Sequence, residues 1–256
     1  YSPYPEEMNR KLTGAIADLH FAPTITNKDN LLKENIEENS IFVTGNTVID
    51  ALSSTVKKDY VFADEFLRNY NFENKRVIAV TAHRRENIGQ PFINIFTALR
   101  RLVENLDDIE LIYPVHLNPV VRETALKILG NHNRIHLIEP LNVQDMHNFM
   151  ARSYIVMTDS GGLQEEAPSL GKPVLVLRKE TERPEAIKAG TVRLAGIDED
   201  TIYNEAHLLL TNNEEYQKMA RAVNPYGDGR ASERIVNALL YHFGVTSQRP
   251  LDFTAS

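Results

Sequence analysis

The stretch from Met157 to Gly171, MTDSGGLQEEAPSLG, holds residues whose types and spacing could bind a phosphorylated ligand. The apolar run 154–157 predicts a buried strand, and a helix pattern follows the glycine pair. Paired glycines permit close approach of the backbone and a positive φ, while the N–H groups of the new helix favour an anion. One turn into the helix, a carboxylate of Glu165 or Glu166 could accept both hydroxyl protons of a ribose. The stretch predicts a nucleotide-diphosphate site, although an ordinary strand–helix turn explains it equally well.

Polar clusters also follow the other predicted strands, where the carboxyl ends of a parallel sheet bind ligands. These clusters are TAHRREN at 81–87, YPVHLNP at 113–119, EPL at 139–141 and RKETERP at 178–184. A lone histidine is more often structural, but His83 precedes two arginines, which favours an anion site. Arg183 could join this edge or form a salt bridge with Glu180.

Alternating strands and helices of about ten residues position these clusters and indicate βαβ units around a parallel sheet. The predicted strands are 20–23, 41–43, 77–81, 111–115, 135–138, 154–157, 173–177 and 192–194. The predicted helices are 5–19, 27–35, one capped by Asn46 or Thr47, 91–105, 119–129, 143–151, one from 163, 183–189, 199–210, 213–222 and one opened by Asp228 or Gly229. Residues 53–75 suggest a helical linker, and 245–256 a frayed tail.

Near the start of the chain, Glu6 and Glu7 follow Pro5 at a predicted helix N-terminus. Acidic residues there complement the helix dipole on a solvated turn, which is the simpler interpretation. The functional alternative is a carboxylate pair beside a cleft, held by Arg10 one turn along.

Composition limits the classes of function. The 256 residues are 42% apolar, carry a net charge of −7 and include no cysteine. The charge argues against nucleic-acid binding, and the lack of cysteine removes disulfides, zinc–cysteine sites and thiol nucleophiles. No apolar run approaches the roughly 20 residues that span a bilayer, and no signal peptide opens the chain. We therefore expect a cytoplasmic protein without a membrane partner.

Eight sequence blocks, in order and spacing, resemble the non-hydrolysing UDP-N-acetylglucosamine 2-epimerases, from Tyr1 to about Phe243. The blocks are SPYPEEMNR, FVTGNTVIDAL, TAHRREN, YPVHLNP, TDSGGLQEEAPSLGKPVLVLR, TERPEA, GTVRL and NPYGDG. The resemblance implies an α/β fold like that of GT-B glycosyltransferases, with Rossmann-type parallel sheets covered by helices on both faces. It also implies interconversion of UDP-N-acetylglucosamine and UDP-N-acetylmannosamine for bacterial cell-wall or capsular polysaccharides.

The resemblance assigns roles to individual residues. Those expected to bind UDP or substrate are Ser160, Gly161, Gly162, Glu166, Arg183, Met146 and Arg10. Within this set, the serine and glycines match the diphosphate turn, Glu166 the ribose carboxylate, and Met146 an apolar contact near the uracil. Glu6 and His83 match catalytic positions. Arg84 and His116 match positions linked to a second, regulatory UDP-N-acetylglucosamine.

The family's reaction resembles elimination of UDP to a 2-acetamidoglucal, followed by re-addition from the other face. It needs a base at C2 and stabilisation of the departing diphosphate, with no redox cofactor. We expect no cofactor and no metal. The alternatives are a GT-B glycosyltransferase, which would transfer sugar to an acceptor, and a non-catalytic nucleotide-sugar-binding module.

Most of the family's first Rossmann half, roughly 100 or more residues, has no counterpart here, so we expect UDP binding without epimerisation and a homodimer only at full length. We expect a remnant of that N-terminal domain at 1–50, a linker at 51–75 and a UDP-binding Rossmann-like domain at 76–228. A C-terminal helix and tail at 229–256 would cross back toward the N-terminal domain.

Overall fold

The computed structural model describes residues 5–73 and 75–255, so residues 2–4 of the motif SPYPEEMNR lie outside the described residues. The chain divides into two compact units. We call Tyr1–Ala51 with Pro225–Ser256 the terminal unit, and Leu52–Asn224 the central unit. Within the described ranges, every helix is too short or too polar to cross a lipid bilayer.

In the part of the chain that the structure describes there are eight strands and twelve α-helices, numbered in chain order. The strands are β1 His20–Ala22, β2 Ile41–Val43, β3 Arg76–Thr81, β4 Ile109–Pro114, β5 Ile135–Ile138, β6 Ile155–Thr158, β7 Val174–Val176 and β8 Val192–Leu194. The helices are α1 Glu6–Ile16, α2 Ile25–Lys33, α3 Thr47–Thr55, α4 Glu65–Asn69, α5 Gln90–Asn105, α6 Pro119–Leu129, α7 Val143–Arg152, α8 Leu163–Ser169, α9 Pro184–Ala189, α10 Glu199–Thr211, α11 Asn213–Ala220 and α12 Ala231–His242.

The central unit is built on a parallel six-stranded sheet in the order β5-β4-β3-β6-β7-β8. The alternating pattern predicted this parallel sheet, and helices cover both of its faces, as the resemblance implied. Helix α5 presents the face expected from its 3.6-residue period, because Phe92, Ile95, Phe96, Leu99 and Leu102 are all 0% exposed. Each such side chain contributes about 1.5–3 kcal/mol by leaving water, so α5 anchors one layer of the core.

In the terminal unit, the backbones of two sequence blocks, FVTGNTVIDAL and NPYGDG, come into close contact. Strands β1 and β2 pair in parallel, and Gly45 follows β2 with a φ of 82°. A Cβ atom on Gly45 would lie 3.3 Å from the Cα of Gly227, so both conformation and space require glycine there. The carboxylate of Asp50 accepts the backbone N–H groups of Ala231 and Ser232 and caps α12.

Two predicted segments differ from the structure. After α3 ends at Thr55, the expected helical linker forms only the short helix α4 before the strand at Arg76, with Asn74 outside the described residues. The segment is instead held by side chains of α7, because the carboxylate of Asp145 accepts the backbone N–H groups of Ala63 and Asp64. Sequence periodicity could not reveal a segment that is fixed by distant hydrogen bonds.

The C-terminal tail is packed over much of its length, so the predicted fraying is wrong for residues 249–253. Arg249 donates to the carbonyl groups of Asn39 and Ile41, and the backbone N–H of Phe253 donates to Val43 at 2.7 Å. The ring of Phe253 is 8% exposed, with the guanidinium of Arg234 5.0 Å from its centre.

We predict that Phe253→Ala lowers the free energy of unfolding by about 3 kcal/mol, because it removes a buried ring from the core of the terminal unit. Urea unfolding followed by circular dichroism measures the change. Leu251→Ala is the matched control, since Leu251 is 85% exposed and its loss should cost less than about 0.5 kcal/mol. Equal effects of the two substitutions would show that the tail is not packed.

Candidate functional site

The candidate site lies where the order of the strands reverses. The chain runs from β3 through β4 to β5 on one side, and β6 then pairs with the other side of β3. In open parallel sheets, ligands bind at such a switch point, outside the carboxyl ends of the strands. The last residues of the two strands, Thr81 and Thr158, are register partners, and their hydroxyl oxygens lie 2.6 Å apart.

The buried carboxylate of Asp159 joins the loops that follow these two strands. Asp159 is 0% exposed, and its Oδ2 accepts the backbone N–H groups of His83 and Arg84, both at 2.8 Å. The same oxygen accepts the side-chain amide of Asn87 at 3.1 Å, and this amide also donates to the carbonyl of Leu177. Sequence reasoning had treated Asp159 only as part of a turn. Its position directly after a buried strand is the signal that could have identified it.

The imidazole of His83 lies against this carboxylate. Its Nδ1 is 3.5 Å from Asp159 Oδ1, an oxygen without a hydrogen-bond partner among the described residues. Burial lowers the pKa of His83, and the nearby His116 and Arg84 lower it further, whereas Asp159 acts in the opposite direction. The side chain is 38% exposed, so a neutral imidazole remains accessible to a ligand.

Of the two properties predicted for the glycine pair, the positive φ is wrong, and the close approach to a ligand stays a prediction. Neither Gly161 nor Gly162, both described residues, has a positive φ, and Gly162 has helical angles of −62° and −45°. Space is limited by two carboxylates, since a Cβ on Gly161 would lie 2.7 Å from Glu182 Oε1 and one on Gly162 would lie 3.2 Å from Glu166 Oε1, so either glutamate side chain would have to shift. The N–H of Ser160 donates to the Thr158 hydroxyl at 2.9 Å, which fixes the start of the turn.

The two neighbouring carboxylates of α8 have different partners. Glu165 is 5% exposed and binds the Nε of Arg183, so the alternative pairing of Arg183 with Glu180 is wrong. The side chain of Glu166 is 14% exposed, and its Oε2 lies 3.3 Å from the Nε2 of His147. Glu166 therefore remains the carboxylate that could accept protons from a diol. His147 was missed because it is remote in sequence and belongs to no recognisable motif.

The predicted regulatory residues lie at the same strand ends as His83. His116 stacks on the His83 ring with 5.4 Å between ring centres and an interplanar angle of 16°. The Nε of Arg84 donates to the carbonyl of Asp159 at 3.2 Å, and its Nη2 lies 3.5 Å from Glu182 Oε1. Met146 is half-buried on α7, directly before His147. The regulatory role of Arg84 and His116 and the contact of Met146 with the uracil therefore stay predictions.

Glu6 and Arg10 belong to the terminal unit, whereas the other predicted site residues belong to the central unit. Glu6 is exposed in the first turn of α1. The guanidinium of Arg10 binds Glu7 at 2.7 Å and Glu34 at 2.5 Å. Arg10 thus holds one member of the expected carboxylate pair, Glu7, together with a carboxylate that the sequence had not suggested.

Within the central unit, the arrangement can do three things chemically. The turn after β6 and Arg84 can attract an anion, because helix N–H groups and a guanidinium both favour negative charge. The neutral His83 can accept or return a proton. The carboxylate of Glu166 can accept hydrogen bonds from hydroxyl groups. A phosphorylated sugar or nucleotide would use all three.

Comparison with known proteins agrees with this chemistry. Residues 1–240 match the family model described as UDP-N-acetylglucosamine 2-epimerase. The Bacillus subtilis (strain 168) UDP-N-acetylglucosamine 2-epimerase is 59% identical over 254 residues, which cover 99% of this chain and 66% of that protein. The chain spans 66% of the length of the first curated relatives that it matches.

Solved structures with bound nucleotides are also similar. S. aureus MnaA, solved with UDP, is 52% identical with a TM-score of 0.92, covering 99% of this chain and 68% of the other. The Neisseria meningitidis UDP-GlcNAc 2-epimerase, solved with UDP-GlcNAc, is 45% identical with a TM-score of 0.86, covering 94% and 66%. The chain belongs to the UDP-N-acetylglucosamine 2-epimerase family.

Proposed function

We propose that this chain is the UDP-binding part of a UDP-N-acetylglucosamine 2-epimerase, with residues 76–228 as its UDP-binding domain. The observation that carries the proposal is the junction at Asp159, which places His83 beside the turn 160–162 at the switch point of the sheet. The S. aureus relative solved with UDP and the N. meningitidis relative solved with UDP-GlcNAc support the same ligand class.

Each part of UDP has a proposed partner. The diphosphate lies against the turn Ser160, Gly161 and Gly162, where a side chain at either glycine would displace a neighbouring carboxylate. The ribose hydroxyls donate to Glu166, and Met146 contacts the uracil. Arg183, already neutralised by Glu165, can approach the sugar phosphate only by leaving or sharing that carboxylate. Arg10 is a further proposed substrate-binding residue, although Glu7 and Glu34 already bind its guanidinium.

The proposed reaction inverts C2 of the sugar in two stages. A base removes the C2 proton while the C1–O bond breaks, the electron pair leaves with UDP, and a 2-acetamidoglucal forms. UDP then adds back to C1, and a proton returns to the opposite face of C2. His83 fits proton transfer near the departing diphosphate because its lowered pKa favours the neutral imidazole. Glu6 is the proposed carboxylate for the proton at C2.

Several wider expectations remain proposals. These are a homodimer, a cytoplasmic location and a role in bacterial polysaccharide synthesis. The flanking assignments, an N-terminal domain remnant at 1–50, a linker at 51–75 and a crossing helix and tail at 229–256, are proposals as well.

Glu166→Gln should weaken UDP binding to this chain by about tenfold or more, because a neutral amide replaces the charged acceptor of the ribose hydroxyls. Isothermal titration calorimetry with UDP measures the dissociation constant. Glu123→Gln is the matched control, since Glu123 is exposed on α6. Unchanged affinity in Glu166→Gln would remove Glu166 from the ribose site.

UDP affinity should also rise as the pH falls below about 6.5, the ordinary histidine value. The free protein holds the pKa of His83 low, and a bound diphosphate would raise it, so binding takes up a proton between the two values. His83→Asn removes the part of this pH dependence that comes from the histidine, so only the titration of UDP itself remains. Identical pH profiles for the two proteins would place His83 away from the diphosphate.

The activity is tested with a protein that carries this chain together with the remainder of the family's length. In deuterium oxide without an acceptor, UDP-N-acetylglucosamine should gain deuterium at C2 and yield UDP-N-acetylmannosamine, as mass spectrometry and proton NMR measure. Incorporation should fall at least about a hundredfold in His83→Asn, within the range that general acid–base catalysis supplies. Transfer of the sugar to an added acceptor, with no deuterium at C2, would contradict the epimerase assignment.

A further inference from the structure

Helix α7 is fixed by the segment that follows α3, through side chains on either side of His147. Asp145 is 1% exposed, and its Oδ1 accepts the Tyr60 hydroxyl at 2.7 Å. Asn148 accepts the backbone N–H of Lys57 at 3.0 Å and donates to the carbonyl of Thr55 at 2.8 Å. These buried contacts leave His147 little freedom to turn or to shift along the helix axis.

The imidazole of His147 lies between a hydroxyl and the candidate ribose carboxylate. It is 3% exposed, with Nδ1 2.8 Å from Thr55 Oγ1 and Nε2 3.3 Å from Glu166 Oε2. An ionised carboxylate only accepts hydrogen bonds, so Nε2 must carry a proton for a favourable contact. In a neutral imidazole, Nδ1 is then an acceptor. The Thr55 hydroxyl donates to Nδ1 at 2.8 Å in preference to the Leu52 carbonyl, which lies 3.5 Å from the same oxygen.

We propose that Thr55 and His147 are positioning residues for the sugar-binding carboxylate of Glu166. The carboxylate of Glu166 requires the Nε2–H tautomer of His147. The Thr55 hydroxyl donates to Nδ1 and fixes the plane of the ring, so that Nε2–H holds one oxygen of Glu166. The other oxygen, Oε1, lies over Gly162, 3.2 Å from the position of a Cβ there, and is thereby presented beside the turn. Neither residue touches the ligand. This inference rests on the proposed function, because it explains how the ribose hydroxyls are recognised.

The test compares Thr55→Val, which replaces the hydroxyl by a methyl group, with Thr55→Ser, which keeps it. Calorimetry measures the affinity of each protein for UDP and for 2′,3′-dideoxyuridine diphosphate. The wild type and Thr55→Ser should prefer UDP by about tenfold or more, as expected for hydrogen bonds to a charged acceptor. Thr55→Val should lose most of this preference, because Nδ1 is left buried without a donor and the ring is no longer held where Nε2–H meets the carboxylate. A general loss of stability would lower the affinities for UDP and for the dideoxy nucleotide by the same factor, so the ratio of the two dissociation constants would not change.

Nitrogen NMR of the His147 ring gives a second measurement, which needs no variant to fold. The wild type should contain the Nε2–H tautomer, and a predominant Nδ1–H tautomer would overturn the inference. A preserved preference for UDP in folded Thr55→Val would overturn it as well, while leaving UDP binding intact. Failure of the wild type to bind UDP would instead refute the proposed function, and equal binding of both nucleotides would refute the ribose contact of Glu166.

Discussion

The carboxylate of Asp159 is the interaction on which the rest of the candidate site depends. A charge buried at the end of β6 is unfavourable unless hydrogen bonds replace its lost water. The donors come from the loop after β3, which reaches Oδ2 through two backbone N–H groups and the Asn87 amide. The loop therefore takes its shape from a residue that is distant in the sequence, since Asp159 lies 72 positions after Asn87. These hydrogen bonds to Asp159 fix the positions of both His83 and the turn at Ser160.

Neighbouring carboxylates on α8 illustrate how packing gives similar residues different chemistry. Glu165 is neutralised by Arg183 in the interior, whereas Glu166 faces the turn and meets the imidazole of His147. One carboxylate then stabilises the helix and its surroundings, and the other remains available to hydroxyl groups. The ribose role of Glu166 stays a prediction, and the structure adds the contacts that hold its carboxylate.

The features of the fold that follow from periodic patterns in the sequence could be predicted. The period of α5 and the alternation of strands with helices identified the sheet, its helical layers and the edge at which His83, His116 and Gly161 lie. Sequence reasoning could not predict which side chain binds which, since those partners are remote in sequence. The pairs Asp159–Asn87 and His147–Thr55 had no local signal, and the segment held by Asp145 was expected to be helical, although only α4 forms there. The glycine pair follows the strand as predicted, but neither glycine has the positive φ that was expected.

The most direct test of the junction is the pKa of His83, followed by proton NMR in the wild type and in Asp159→Asn. Asparagine keeps an oxygen for the donors of the β3 loop but removes the negative charge 3.5 Å from Nδ1. Since Asp159 opposes the lowering of the His83 pKa, its neutralisation should lower that pKa further. An unchanged or higher pKa of His83 in the folded Asp159→Asn protein would contradict the account.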